Sequence, residues 1–90
     1  MARVDFTPQL RRFTAAPGVD APGAATLMQA LAAAFELNPK LRGYVLDDQG
    51  QLRPNVAIYI DGHAIRDRRR LLDPLGAASR VYVAQALSGG

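Results

Sequence analysis

The residues with the clearest chemical potential are the last four, Leu87-Ser88-Gly89-Gly90. Two glycines add backbone freedom and no side chains to pack, so they are poor structural material. A carboxylate carried by such a tail can enter a narrow channel in another protein and reach the α-phosphate of ATP. A frayed end has the same composition. Context favours the reactive reading: the pair follows an alternating apolar segment, and Leu87 supplies an anchor just before it. Other candidates lack partners. His63 is the single histidine and sits beside a turn signal. Ser88 has no histidine or acid placed in sequence to activate it. Asp47, Asp48, Asp61, Asp67 and Asp73 are scattered through turns, without the dense oxygen-ligand spacing of a calcium loop.

The elements that must position this tail are few. Ninety residues make one domain with a single core and no bulk for a deep catalytic cleft. Cysteine is absent, which excludes disulfides, thiolate nucleophiles and thiolate-bound zinc, and any sulfur chemistry must use sulfur from outside. Val4 and Phe6 alternate with polar neighbours as in a half-buried strand, and Leu10–Thr14 reads as a second, short one. Ala15–Ala25, with Pro17-Gly18 and Pro22-Gly23, reads as a loop. Thr26 and Gln29 form a capping box that opens a helix, in which Leu27, Leu31, Ala34 and Phe35 share a face with Leu37 near its end. Asn38-Pro39 should end that helix. Leu41, Tyr44, Val45 and Leu46 then form a short apolar segment before a turn at Asp47–Gly50.

A long strand is expected over Leu52–Ile60, with Val56, Ile58 and Ile60 on one face and Ala57 and Tyr59 on the other. Asp61-Gly62 is a two-residue hairpin signal, returning through His63-Ala64-Ile65. Leu71, Leu72, Pro74 and Leu75 make an apolar turn region, and Arg80–Ala84 is a final alternating strand. One helix across a small mixed sheet satisfies both apolar faces with one core, an α+β architecture.

With these elements in order, the chain resembles the ubiquitin-like sulfur carriers, a family that includes the small subunit of molybdopterin synthase, the thiamin-synthesis sulfur carrier and the carrier of a thiocarboxylate-dependent cysteine pathway. The likeness runs through Val4–Phe6, the helix from Thr26, Leu52–Gly62, Ile65-Arg66-Asp67, Leu72-Asp73-Pro74-Leu75 and Ala86-Leu87-Ser88-Gly89-Gly90. Two positions depart from the family pattern. Gly76-Ala77-Ala78-Ser79 stands where an acidic-glycine turn is usual, and Gln85 where many members have proline.

The resemblance implies a β-grasp domain over residues 1–87 and a flexible diglycine tail over 88–90. It implies a carrier and substrate rather than an enzyme, with no cofactor or metal of its own. An E1-like adenylating enzyme, holding ATP and Mg²⁺, would activate the Gly90 carboxylate. A sulfur donor would convert the adenylate to a thiocarboxylate, and a biosynthetic enzyme would accept the sulfur. Leu87, Ser88 and Gly89 would be the tail that enters the partner's channel. Conjugation of Gly90 to lysine, and a non-covalent interaction module, are the alternatives.

Surface contacts are expected from Arg53, Arg66 and Arg80 toward an acidic enzyme face, and from Tyr59 as part of an apolar docking patch. The eleven basic and eight acidic residues give a formal charge of +3, with an excess in Arg66, Arg68, Arg69 and Arg70. Asp67 and Asp73 interrupt that run, so a solvated face or an acidic partner is favoured over nucleic acid. No apolar stretch approaches the roughly 20 residues needed to cross a bilayer, and Met1–Asp5 has no signal-peptide core, so a cytoplasmic location is expected.

Overall fold

The computed structural model describes residues 2–7 and 18–85. Its seven elements are β1 (Ala2–Phe6), β2 (Gly18–Ala21), α1 (Leu27–Leu37), α2 (Pro39–Val45), β3 (Val56–Ile60), β4 (His63–Ala64) and β5 (Arg80–Gln85). The strands form one sheet in the order β2-β1-β5-β3-β4. Within it β5 runs parallel to β1 and antiparallel to β3, while β1 pairs antiparallel with β2. Connecting parallel β1 and β5 requires a long crossover, and α1 lies within it. This is the expected α+β, β-grasp arrangement.

Alternation in the strands separates two faces. Val4, Phe6, Val56, Ile58, Val81 and Val83 are buried on one side with Leu27, Leu31, Ala34 and Phe35 of α1. Burying each such side chain is worth about 1.5–3 kcal/mol, which makes this contact the main source of stability. Leu37 departs from the expected helical stripe: it is 69% exposed.

The start of α1 is closed by long-range partners. The hydroxyl of Thr26 accepts the Gln29 amide (3.3 Å), as its spacing predicts. The return bond differs, since the Gln29 side chain accepts from Ala25 (2.7 Å) rather than Thr26. Leu27 and Met28 donate to the carbonyls of Asp73 (2.9 Å) and Leu71 (2.8 Å), so the first three amides of the helix are all engaged.

Three further expectations need correction. Gly18–Ala21 lies within a stretch expected to be loop, yet it forms edge strand β2 through pairing with Ala2–Asp5. The short apolar segment after Pro39, to which the sequence assigns no element beside one main helix, lies mostly in a second helix, α2. Asn38 caps α1 by donating its amide to Ala34 (3.0 Å), and Pro39 then occupies the first turn of α2, where its missing N–H is no loss. The long strand is shorter than its apolar pattern: Pro54-Asn55 form a turn, Val56 donates to Arg53 (3.0 Å), and Leu52 makes only a bridge with Leu46. The expected strand at Leu10–Thr14 lies outside the described residues.

The β3–β4 hairpin follows its sequence signal. Asp61 and Gly62 have φ of 50° and 84°, the left-handed pair that a type I′ turn requires. Asp61 also accepts the Arg80 amide on its carboxylate (2.9 Å) and donates its own amide to the Arg80 carbonyl (2.9 Å), tying the turn to the start of β5. Asp61→Ala removes the carboxylate bond and the residue's tolerance of this conformation. We expect it to lower the unfolding free energy by about 1–2 kcal/mol in chemical denaturation; an unchanged midpoint would show that the turn does not depend on the side chain.

Candidate functional site

Gln85 ends the described body on the strand at the centre of the sheet. Its position is fixed from both sides. Gln85 pairs with Val56 of β3, and its amide donates to the hydroxyl of Thr7 (3.3 Å), just beyond β1. Thr7 is buried and donates its own amide to the Val83 carbonyl (3.0 Å). The strand therefore keeps partners on both edges up to its last described residue. Leu87, Ser88, Gly89 and Gly90 lie outside the described residues.

Of the expected surface residues, Tyr59 is on the face opposite the helices and is 37% exposed. Directly across the ladder is Tyr82, 40% exposed, with the Ala57–Ala84 pair between these rings and the Gln85 end. Neighbouring cross-strand rings with half-exposed faces and polar tips suit a protein interface. Sequence reading does not single out Tyr82. The alternation of Arg80–Ala84 already put it opposite Val81 and Val83, but only the β3–β5 register places it beside Tyr59.

The three arginines separate. Arg80 begins β5, about 17 Å from Gln85 by strand rise, and lies at the opposite end of the sheet from the tail. Arg53 is near the tail end, but its Nε donates to the Gly43 carbonyl (2.8 Å), so the side chain braces α2. Arg66 is exposed in the turn that follows β4.

That turn is a second feature not legible in sequence. The Asp67 carboxylate accepts the amides of Arg69 (3.1 Å), Arg70 (2.9 Å) and Leu72 (3.4 Å), and the Asp73 carboxylate accepts those of Arg66 (2.9 Å) and Asp67 (2.8 Å). Leu71, with φ of 59°, is fully buried at the turn's base. Arg68 reaches back to donate to the carbonyls of Val56 (2.8 Å) and Arg53 (3.3 Å). His63 is exposed at its hairpin, in a shallow depression shared with Ile65, Asp73 and Pro74.

No protein-family model matches the chain, and no curated protein matches it in sequence. Solved structures do match. The crystal structure of SAMP1 from Haloferax volcanii is 24% identical with a TM-score of 0.81, covering 99% of this chain and 98% of that one. A chain of the Amycolatopsis orientalis BexX/CysO complex is 17% identical with a TM-score of 0.84, covering all of both chains. The solution structure of small archaeal modifier protein 1 from Methanosarcina acetivorans is 20% identical with a TM-score of 0.80, covering 99% of this chain and 95% of that one. Likeness over the full length at such low identity establishes a common fold.

The amide of Arg70, first, holds the Asp67 carboxyl below its ordinary value; partial desolvation opposes this, while the amides of Leu72 and Arg69 and the Arg70 charge add to it. A carboxylate lowered by folding contributes stability above its unfolded pKa and loses that contribution as pH falls through the folded value. Asp67→Asn is thus expected to be less stable than the parent at neutral pH, with the gap narrowing as the solution is acidified below the usual carboxylate range. Thermal melts of both proteins across that range check the sign; a gap constant with pH would contradict it.

Proposed function

We propose that this chain is a sulfur carrier whose reacting group is the Gly90 carboxylate. The observation that carries the reading is the central strand ending at Gln85, held on both edges at one end of the sheet, with residues 86–90 following it. Five extended residues span at most about 17 Å, enough to bring Gly90 into a buried site of another protein while the domain stays outside. The ending Leu87-Ser88-Gly89-Gly90 and the carrier-like run of motifs support the same reading.

The chemistry divides between two proteins. An E1-like enzyme binds the domain and holds ATP-Mg²⁺. A Gly90 carboxylate oxygen attacks the α-phosphorus, the bond to the β-phosphate oxygen breaks, and pyrophosphate leaves. Carboxylate has a poor leaving group; the adenylate has a good one. Hydrosulfide then adds to the acyl carbon and expels AMP, leaving the thiocarboxylate. With a persulfide donor the first product is an acyl disulfide, and a second thiol cleaves it to thiocarboxylate and a disulfide. A biosynthetic enzyme accepts the sulfur and the carboxylate is regenerated. Metal binding and charge stabilisation at phosphorus belong to the activating enzyme.

The test is intact mass after incubation with the adenylating enzyme of the source organism, ATP and sulfide. Replacement of one oxygen by sulfur is expected in the full-length chain and not after deletion of Gly89-Gly90. Failure to gain sulfur with a partner of verified activity would contradict the proposal. Recovery of Gly90 as an amide on lysine side chains, with no thiocarboxylate, would assign the adenylate to protein modification instead.

Docking of the body falls to the exposed sheet face. Tyr59→Ala and Tyr82→Ala should each raise the carrier's KM for activation by on the order of tenfold, with kcat little changed, as expected for truncating an interface aromatic. Unaltered KM in both variants would place the interface elsewhere.

A further inference from the structure

Among the described residues, the ion pairs are those of Arg3 with Asp5 (3.3 Å) and with Asp20 (3.5 Å). The arginine-rich turn contributes none, although two aspartates lie within it. The reason is geometric. Asp67 and Asp73 direct their oxygens at five backbone amides of the turn, so they fix its shape without forming an ion pair with its guanidinium groups, and four arginines against two aspartates leave the turn positively charged. A carboxylate saturated by amide hydrogen bonds is a brace for the backbone. Buried Leu71, whose carbonyl accepts the Met28 amide, fastens the turn to α1. Arg69 and Arg70 consequently stand exposed on a backbone held from several sides, where they line a depression of about 310 Å³ with Gln51 and with Asp67, whose oxygens are engaged by the turn's amides.

Position gives this cluster a meaning. Arg68 donates to the carbonyl of Val56, and Val56 is the ladder partner of Gln85. The turn is therefore attached at the end of the sheet from which residues 86–90 continue, whereas Arg80 and Arg3 pair at the other end. A protein that receives the tail by docking at this end of the sheet meets this turn.

We propose that the Arg66–Arg70 turn is an electrostatic docking element for a carboxylate-bearing surface on the protein that receives the tail, with Arg69 and Arg70 making the contacts and Arg68 fixing their place. The inference rests on the carrier reading. Discrete carboxylates suit the site better than a phosphate backbone does. Gln51 lies on the turn organised by Asp47, whose carboxylate accepts the Gln51 amide (2.9 Å), and exposed Asp48 is close by in sequence. A continuous polyanion crossing the arginines would also meet these acids; separate side chains on a folded partner can avoid them. Exposed charges at an interface rim act chiefly on encounter rate and its salt dependence.

The experiment is steady-state activation by the adenylating enzyme, read as pyrophosphate release, for the parent and for R69E/R70E at several sodium chloride concentrations. Among the described residues neither guanidinium makes a hydrogen bond or ion pair, so the variant should fold like the parent, with its melt lowered only by loss of the Arg70 charge beside Asp67. The expected result is a KM about tenfold or more above the parent at low salt, kcat within about twofold, and a much weaker salt dependence than the parent shows. R69Q/R70Q should fall between. Parent activation with the same KM in R69E/R70E would overturn this inference alone. Absence of pyrophosphate release and of complex formation with the parent would overturn the carrier reading and this inference together. A fluorescein-labelled oligothymidylate that binds the parent and not R69E/R70E, with KM unmoved, would reassign the arginines to nucleic acid and overturn the docking role.

Discussion

The hydrogen-bonded ladder on both sides of β5 is the constraint on which the rest of the molecule depends. A strand with two partners cannot slip by one residue without exchanging its buried and exposed faces. Here that exchange would drive Val81 and Val83 into solvent and push Tyr82 into the α1 interface. The same ladder fixes where Gln85 stands, and so the point from which the tail departs. Thr7 extends the constraint past the regular pairing by accepting the Gln85 amide on its hydroxyl. Core packing and the position of Gln85 are consequences of one register.

The surface is organised by a different use of polar groups. Asp47, Asp61, Asp67 and Asp73 each accept backbone amides at turns, and none of the four forms an ion pair among the described residues. Turn aspartates commonly serve in this way, because a short carboxylate reaches the amides two or three residues on. Its consequence here is electrostatic. Acidic side chains are consumed in shaping loops, and the basic side chains attached to those loops remain available.

How much of this could be read beforehand depends on the range of the contacts involved. Asp61-Gly62 was legible because the turn is local and demands positive φ at both residues. Val56, Ile58 and Ile60 declared their shared face through period-two alternation. Thr26 and Gln29 marked a helix start, although the true partner of the Gln29 side chain, Ala25, is a neighbour that the spacing rule does not single out. Gly18–Ala21 carried no such mark: a four-residue edge strand with glycine and aspartate exists because Ala2–Asp5 lies beside it. Pro39 was ambiguous in kind, since the residue that stops one helix is well suited to begin another. For the site, Gly89-Gly90 was visible only as sequence. The brace formed by Arg53 on Gly43, the Tyr59–Tyr82 pairing and the place of Arg68 beside Val56 all join residues that are distant along the chain, and composition holds no trace of them.

A body that positions and a tail that reacts is the simplest division of labour for a domain too small to enclose a cleft. On the proposed carrier reading the reacting group is a single carboxyl, that of Gly90. The most direct measurement is ATP–pyrophosphate isotope exchange catalysed by the adenylating enzyme, with the full-length chain compared against the same chain bearing a carboxamide at Gly90. Reversible adenylation of Gly90 requires exchange with the acid and none with the amide; equal exchange with both, or with neither when the enzyme is demonstrably active, would contradict it.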